Sequence, residues 1–147
     1  MRPVFRWGLV VASILPATLV YAQGDQTLVG TYKVVSGKRG DKDIPKDHLH
    51  SSVRITPETM TAFDKDNNEA YVMRYNLEPG KEPRRITMTI TKSTRPEAVG
   101  SKARGLIQAE GNRVMLIYDE EGEDFPKQFE PKADKQHFFV LERTGED

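Results

Sequence analysis

The stretch EAYVMRYNLEPGKEPRRITMTIT, residues 69–91, decides the fold. Tyr71, Met73, Tyr75 and Leu77 recur at every second position, with Val72, Arg74 and Asn76 between them. After a break at Pro79-Gly80, Ile86, Met88 and Ile90 take one face, and Thr87, Thr89 and Thr91 take the other. A period of two places successive side chains on opposite faces of a strand. One apolar and one polar face per strand predict a sheet packed on one side and wet on the other, the antiparallel pattern. Pro79-Gly80 supplies the turn between the two runs.

The same punctuation continues in both directions. Upstream lie LVGTYKVVS (28–36), SVRIT (52–56) and TMTAF (59–63), the last two split at Pro57; downstream lie ARGLIQAE (103–110), RVMLIYD (113–119) and QHFFVLER (136–143). That makes eight candidate strands at short spacing. The connection Glu110-Gly111-Asn112 reads as a hairpin turn, and DKDNN (64–68) joins two further runs in the same way. Lys46 to His50 reads as one helical turn inside a loop that begins at Gly37. No window past the N-terminus carries a sustained helical stripe. Eight successive antiparallel strands dispose of their exposed edges most simply by closing into an up-and-down barrel. Two longer loops remain, 92–102 and 120–135.

The first 22 residues have a different character. Arg2 and Arg6 precede a 13-residue, mostly apolar run from Gly8 to Val20, and Val20-Tyr21-Ala22 ends it with modest residues at the −3 and −1 positions. This is the pattern of a secretory signal cleaved before Gln23. A spanning helix needs about 20 apolar residues, more than this run offers, and Pro16 interrupts it. The expected domain is therefore 23–147, in a secreted or periplasmic protein with no stable membrane anchor after cleavage. A chain of that size buries roughly two-thirds of its unfolded surface, enough for one core. Without Arg2 and Arg6 there remain 20 basic and 22 acidic side chains, a net charge of −2. That balance does not suggest a nucleic acid or an anionic membrane as partner. The chain has no cysteine, so disulfides, thiolate metal sites and a lipid-modified cysteine are excluded.

GTYKVV, opening the first run, resembles the glycine-x-tryptophan signature that begins the lipocalin barrel, with Tyr32 in the tryptophan's place. The wider series LVGTYKVVSGKRGDKDIPKDHL and VRITPETMT resembles the opening of the planctomycete lipocalin-like domain family. YNLEPGKEPRRITMTIT, GLIQAEGNRVMLIYDEEGEDFPKQFEP and FFVLER are similar to later pieces of that family, so the likeness runs over about residues 27–143. It implies an exported lipocalin-like barrel whose activity is not established. It also implies that Tyr32 packs across a closed barrel end beneath a basic residue of the last strand, for which Arg143 is the matching position, while Gly30 lets the chain bend where the ring tucks in. A buried tyrosine, unlike the tryptophan, brings a hydroxyl that must find a partner.

Residues that could carry chemistry are few. Asp64, Asp66 and Asn68 occupy positions 1, 3 and 5 of an EF-hand-like loop, but Glu69 stands where glycine is needed and Tyr75 where a bidentate glutamate is needed. A polar hairpin turn accounts for them. His48, His50 and His137 do not make a visible zinc ligand set, and the first two point apart on a helical turn. Asp119, Glu120, Glu121, Glu123 and Asp124 read as a solvated loop tip. Lys81, Arg84, Arg85, Arg95, Lys102 and Arg104 are spread over two loops without interleaved aromatics. No G-x-S-x-G, H-E-x-x-H or G-x-G-x-x-G occurs, and Leu106 follows the Gly100/Gly105 pair where a P-loop requires lysine. No catalytic residue, cofactor or metal is assigned, and the expectation is a protein that is not an enzyme.

What remains is the apolar interior. Val34, Tyr71, Met73, Tyr75, Met88, Leu116, Tyr118 and Phe139 line a cavity if their faces point inward. Eight-stranded barrels either fill with side chains or hold one small ligand. Two functions follow: binding of a small apolar or amphipathic ligand inside the barrel, or a filled, non-enzymatic interaction module contacting an unknown protein through the 92–102 and 120–135 loops.

Overall fold

Alternation becomes strand along nearly the whole described chain. The computed structural model describes residues 27–80, 82–120, 124–132 and 135–145; the leader read over 1–22 lies outside them. Nine strands follow in order: β1 (Gly30–Arg39), β2 (Lys42–Asp43), β3 (Ser52–Ile55), β4 (Thr59–Phe63), β5 (Glu69–Leu77), β6 (Arg84–Ser93), β7 (Lys102–Glu110), β8 (Arg113–Glu120) and β9 (Gln136–Gly145). All pairings are antiparallel. Neighbours in sequence pair from β3 to β9, β1 pairs β3, and β9 returns to β1 through Tyr32↔Arg143, Lys33↔Glu142 and Val34↔Leu141. The result is a closed eight-stranded barrel with β2 as a two-residue addition beside the end of β1. Among the described residues, no helix is long and apolar enough to cross a membrane.

Local chemistry explains the joints. Gly111, at φ 61°, is the first of two residues linking Glu110 to Arg113, as a type II′ hairpin requires. Asp64 Oδ1 accepts the backbone N–H groups of Asp66 and Asn68 at 2.9 Å each, an Asx turn that accounts for the acidic cluster there. The first strand is longer than its pattern implies. It runs on to Arg39 through Gly37, and the segment read as a loop from Gly37 begins as strand and turns into β2. A Cβ at Gly37 would lie 2.7 Å from the Phe139 ring and 2.9 Å from Leu49, so glycine here permits close packing inside a strand instead of ending it.

Inward-facing rows build the core. Leu28, Tyr32, Ile55, Met60, Tyr75, Leu77, Ile86, Met88, Ile107, Val114, Leu116 and Leu141 form one buried cluster, each large aliphatic side chain stabilising by about 1.5–3 kcal/mol. A second apolar row lies outside. Arg85, Leu106, Ile117 and Phe138 are successive cross-strand partners from β6 to β9, on the face away from the barrel axis. Leu106 and Ile117 are nevertheless buried. Phe125 and Phe129 lie against this wall. The Arg85 guanidinium carbon stands 4.8 Å from the Phe125 ring centroid, Arg104 stands 5.9 Å from it, and Phe129 packs on Phe138 at 6.2 Å. Phe125 and Phe129 therefore pack on the barrel's own wall.

Candidate functional site

The two ends of the barrel are built differently. At the end where β1 begins, Tyr32 is fully buried, and its hydroxyl donates to the Leu28 carbonyl at 2.8 Å. This hydrogen bond provides the partner that a tyrosine needs in this position. The Arg143 guanidinium carbon lies 5.0 Å from the Tyr32 ring centroid. Its two terminal nitrogens donate to the carbonyls of Val29 at 2.7 Å and Thr27 at 2.8 Å. A Cβ on Gly30 would collide with that guanidinium, so glycine makes room for the arginine. Burial raises the Tyr32 pKa, with Arg143 acting against it. Deeper in, Tyr75 donates to the Thr56 carbonyl at 2.6 Å, and burial pushes its pKa up to about 12. Tyr32 and Arg143 close the interior at this end, and a surface cleft of about 390 Å³ lined by Thr27, Glu82, Ala109 and Gly111 lies at the same end.

At the opposite end, the mouth of the barrel, the inward side chains are less completely covered. The structure divides the eight interior candidates between the two halves. Tyr75, Met88 and Leu116 belong to the buried cluster, with 3 %, 2 % and 6 % of their surface exposed. They are core, with no surface to offer a ligand. Val34, Tyr71, Met73, Tyr118 and Phe139 are only half-buried, although their strand positions place them on the inner face. Val34, Met73, Tyr118 and Phe139 pack against the buried cluster on one side and keep some exposure on the other.

Further groups gather at this mouth. His137 pairs across strands with Tyr118 and with Arg39. Its ring stacks on Tyr118 (5.1 Å between centroids, 15° between planes) and on Phe139 (6.2 Å, 9°), making an aromatic wall. His137 Nδ1 is buried, 3.5 Å from Glu120 Oε2, with no hydrogen bond to a described residue. Burial lowers the His137 pKa and Arg39 lowers it further, while Glu120 and the Lys135 backbone oppose them. Burial also raises the Tyr118 pKa, helped by Glu120 and Tyr71 and resisted by Arg39. Glu120 and Arg39 thus act on both His137 and Tyr118 around the rim. On the far side, His50 meets Tyr71 edge-on at 5.3 Å and 83°, and Leu49 approaches Phe139 over Gly37. The segment after the 3₁₀ turn Lys46–His48 thus rims the mouth.

Sequence reasoning leaves Arg39, Leu49, His50, Glu120 and His137 out of the interior set. Of these, His137 is legible: it shares the parity of Phe139, Leu141 and Arg143 on β9. Leu49 and His50 follow a loop, where no periodicity marks a face. His48 is exposed and does not join them. Among the described residues, no three His, Asp or Glu side chains converge as a metal-ligand set. No family model, curated protein or solved structure matches this chain.

Proposed function

We propose that the protein is an exported, non-enzymatic, lipocalin-like domain that binds a small amphipathic molecule in the mouth of its barrel. The observation that carries this reading is the run of inward-facing, partly exposed side chains at one end, Val34, Tyr71, Met73, Tyr118 and Phe139. Mixed aromatic and methionine linings adapt to an apolar body, and tyrosine adds a polar handle. The rim polar groups, Glu120, His137, His50 and the Tyr71 and Tyr118 hydroxyls, give the ligand's polar end its orientation. A concave, mostly apolar lining with a few convergent polar groups is the usual form of a small-molecule site. The likeness of GTYKVV and the later segments to the planctomycete lipocalin-like family supports the same reading, as does the leader-like N-terminus for export.

Titration with a neutral, environment-sensitive naphthylamine dye tests it. Saturable fluorescence enhancement is expected, weakened about tenfold or more by Phe139→Ala or Tyr118→Ala and unchanged by substitution of an exposed residue on the outer wall. A titration with no saturable component, or one indifferent to both mouth substitutions, overturns the reading.

A further inference from the structure

A second concavity lies outside the barrel, where β1 leaves β3. Their ladder ends at Lys33↔Ser52. Beyond it only one long hydrogen bond crosses, Val34 N–H to the Ser51 carbonyl at 3.4 Å. A bulge between Val34 and Ser36 turns the strand away, and the side of β1 that faced β3 is next used by β2 at Lys38 and Arg39. The gap is a cleft of about 380 Å³, within the roughly 300–1,000 Å³ range of small-molecule sites. Its floor is apolar: Val34, Val35 and Leu49.

Its rim is basic. Lys33 and Glu142 form an ion pair at 3.3 Å, and Glu142 also meets Arg113 at 3.5 Å, so this carboxylate is already shared by two cations. Lys46 and Lys65 also line the cleft, and neither forms an ion pair or hydrogen bond through its ammonium with another described residue. Of the nearby acids, Asp64 turns an oxygen toward the amides of its own Asx turn. Two uncommitted ammonium groups above an apolar floor match one chemistry. We propose that this cleft binds an aliphatic carboxylate, its head held by Lys46 and Lys65 and its chain laid over Val34, Val35 and Leu49. The cleft adjoins the mouth, with Val34, Leu49 and His50 bordering both, but Val35, Lys46 and Lys65 belong to the cleft alone, and the proposal stands or falls on them independently of the mouth reading.

The test is an amide chemical-shift titration of protein produced from the full 147-residue chain, using octanoate, octylammonium and acetate as probes. Octanoate is expected to shift the amides of Val35, Lys46, Ser51 and Lys65, which the mouth does not share, and to bind about tenfold or more tightly than either comparison probe. The exposed pair Lys46→Ala/Lys65→Ala removes charge without disturbing the core. It is expected to weaken octanoate about tenfold or more, in line with losing hydrogen bonds to a charged group. Octylammonium binding as well as octanoate, or octanoate indifferent to the double substitution, overturns the proposal. So does a shift confined to Tyr71, Tyr118 and Phe139. That last result would leave the mouth reading standing, whereas shifts in the cleft with none at the mouth would support the cleft alone.

Discussion

The two ends of the barrel share strands, register and residue types, yet one is core and the other a mouth. On β5, Tyr75 and Leu77 are buried, whereas Tyr71 and Met73, on the same face a few residues earlier, keep solvent exposure. On β9, Leu141 is buried and His137 and Phe139 are half-buried. The difference comes from what closes each end. At the sealed end, residues Thr27 to Val29 lie across the opening, pinned by the Tyr32 hydroxyl and by both Arg143 nitrogens. At the mouth the rim groups are charged or titratable, and the segment Leu49–Ser51 is held at its edge by Ser51, which donates to the Phe63 and Asp64 carbonyls, while over the interior it offers an edge-on ring contact and a leucine. A barrel end is closed by satisfied polar contacts to a crossing segment as much as by apolar volume.

Substitutions should break this comparison in order of size. Tyr32→Ala removes a fully buried ring and should cost about 3–5 kcal/mol in chemical denaturation. Tyr118→Ala at the mouth should cost less, because Tyr118 packs against the edge of the buried cluster and is not fully enclosed by it. Equal losses at the two positions would erase the distinction. Gly30→Ala should come next, at about 1–3 kcal/mol, because the new Cβ displaces the Arg143 guanidinium. Combined with Arg143→Ala it should lose much of that separate effect, a coupling that a double-mutant cycle reads directly.

Titration sharpens the contrast further. Tyr75 has its folded pKa raised to about 12 from the ordinary 10, so its neutral form belongs to the folded state. Its contribution is complete below pH 10 and is lost as pH rises from 10 toward 12. Tyr75→Phe should flatten the fall in stability over that window, while removing the hydrogen bond to Thr56 at a cost of about 1 kcal/mol at neutral pH. The smallest effect belongs to the mouth. His137 has its folded pKa depressed, so its contribution is present above about pH 6.5 and is lost as pH falls. His137→Phe should reduce the acid-side slope of stability against pH, with Glu120 keeping the change modest.

Much of the barrel was legible because alternation reports which face a side chain takes. Ile86, Met88 and Ile90 announce their inner face without a structure, and the G-x-aromatic opening points to the ring that now lies beneath Arg143. Alternation does not report depth along the barrel axis. Tyr71, Met73, Tyr75 and Leu77 look equivalent in sequence, and only the stagger of neighbouring strands sends the last two to the sealed half. Glycine misleads for a related reason: Gly37 reads as the end of β1, but the approach of Phe139 that demands it is a long-range contact. The rim residues Leu49 and His50 belong to a loop whose position is set by the groups it meets. Leu106 and Ile117, on the outward parity, are buried all the same, which alternation does not announce.

The most direct test of the two-ended barrel is to map where a neutral apolar dye shifts backbone amides. Perturbations are predicted at Tyr71, Met73, Tyr118 and Phe139, with Tyr32, Leu77, Ile86 and Val114 unmoved. Shifts centred on the Tyr32 end, or spread evenly over both ends, would contradict it.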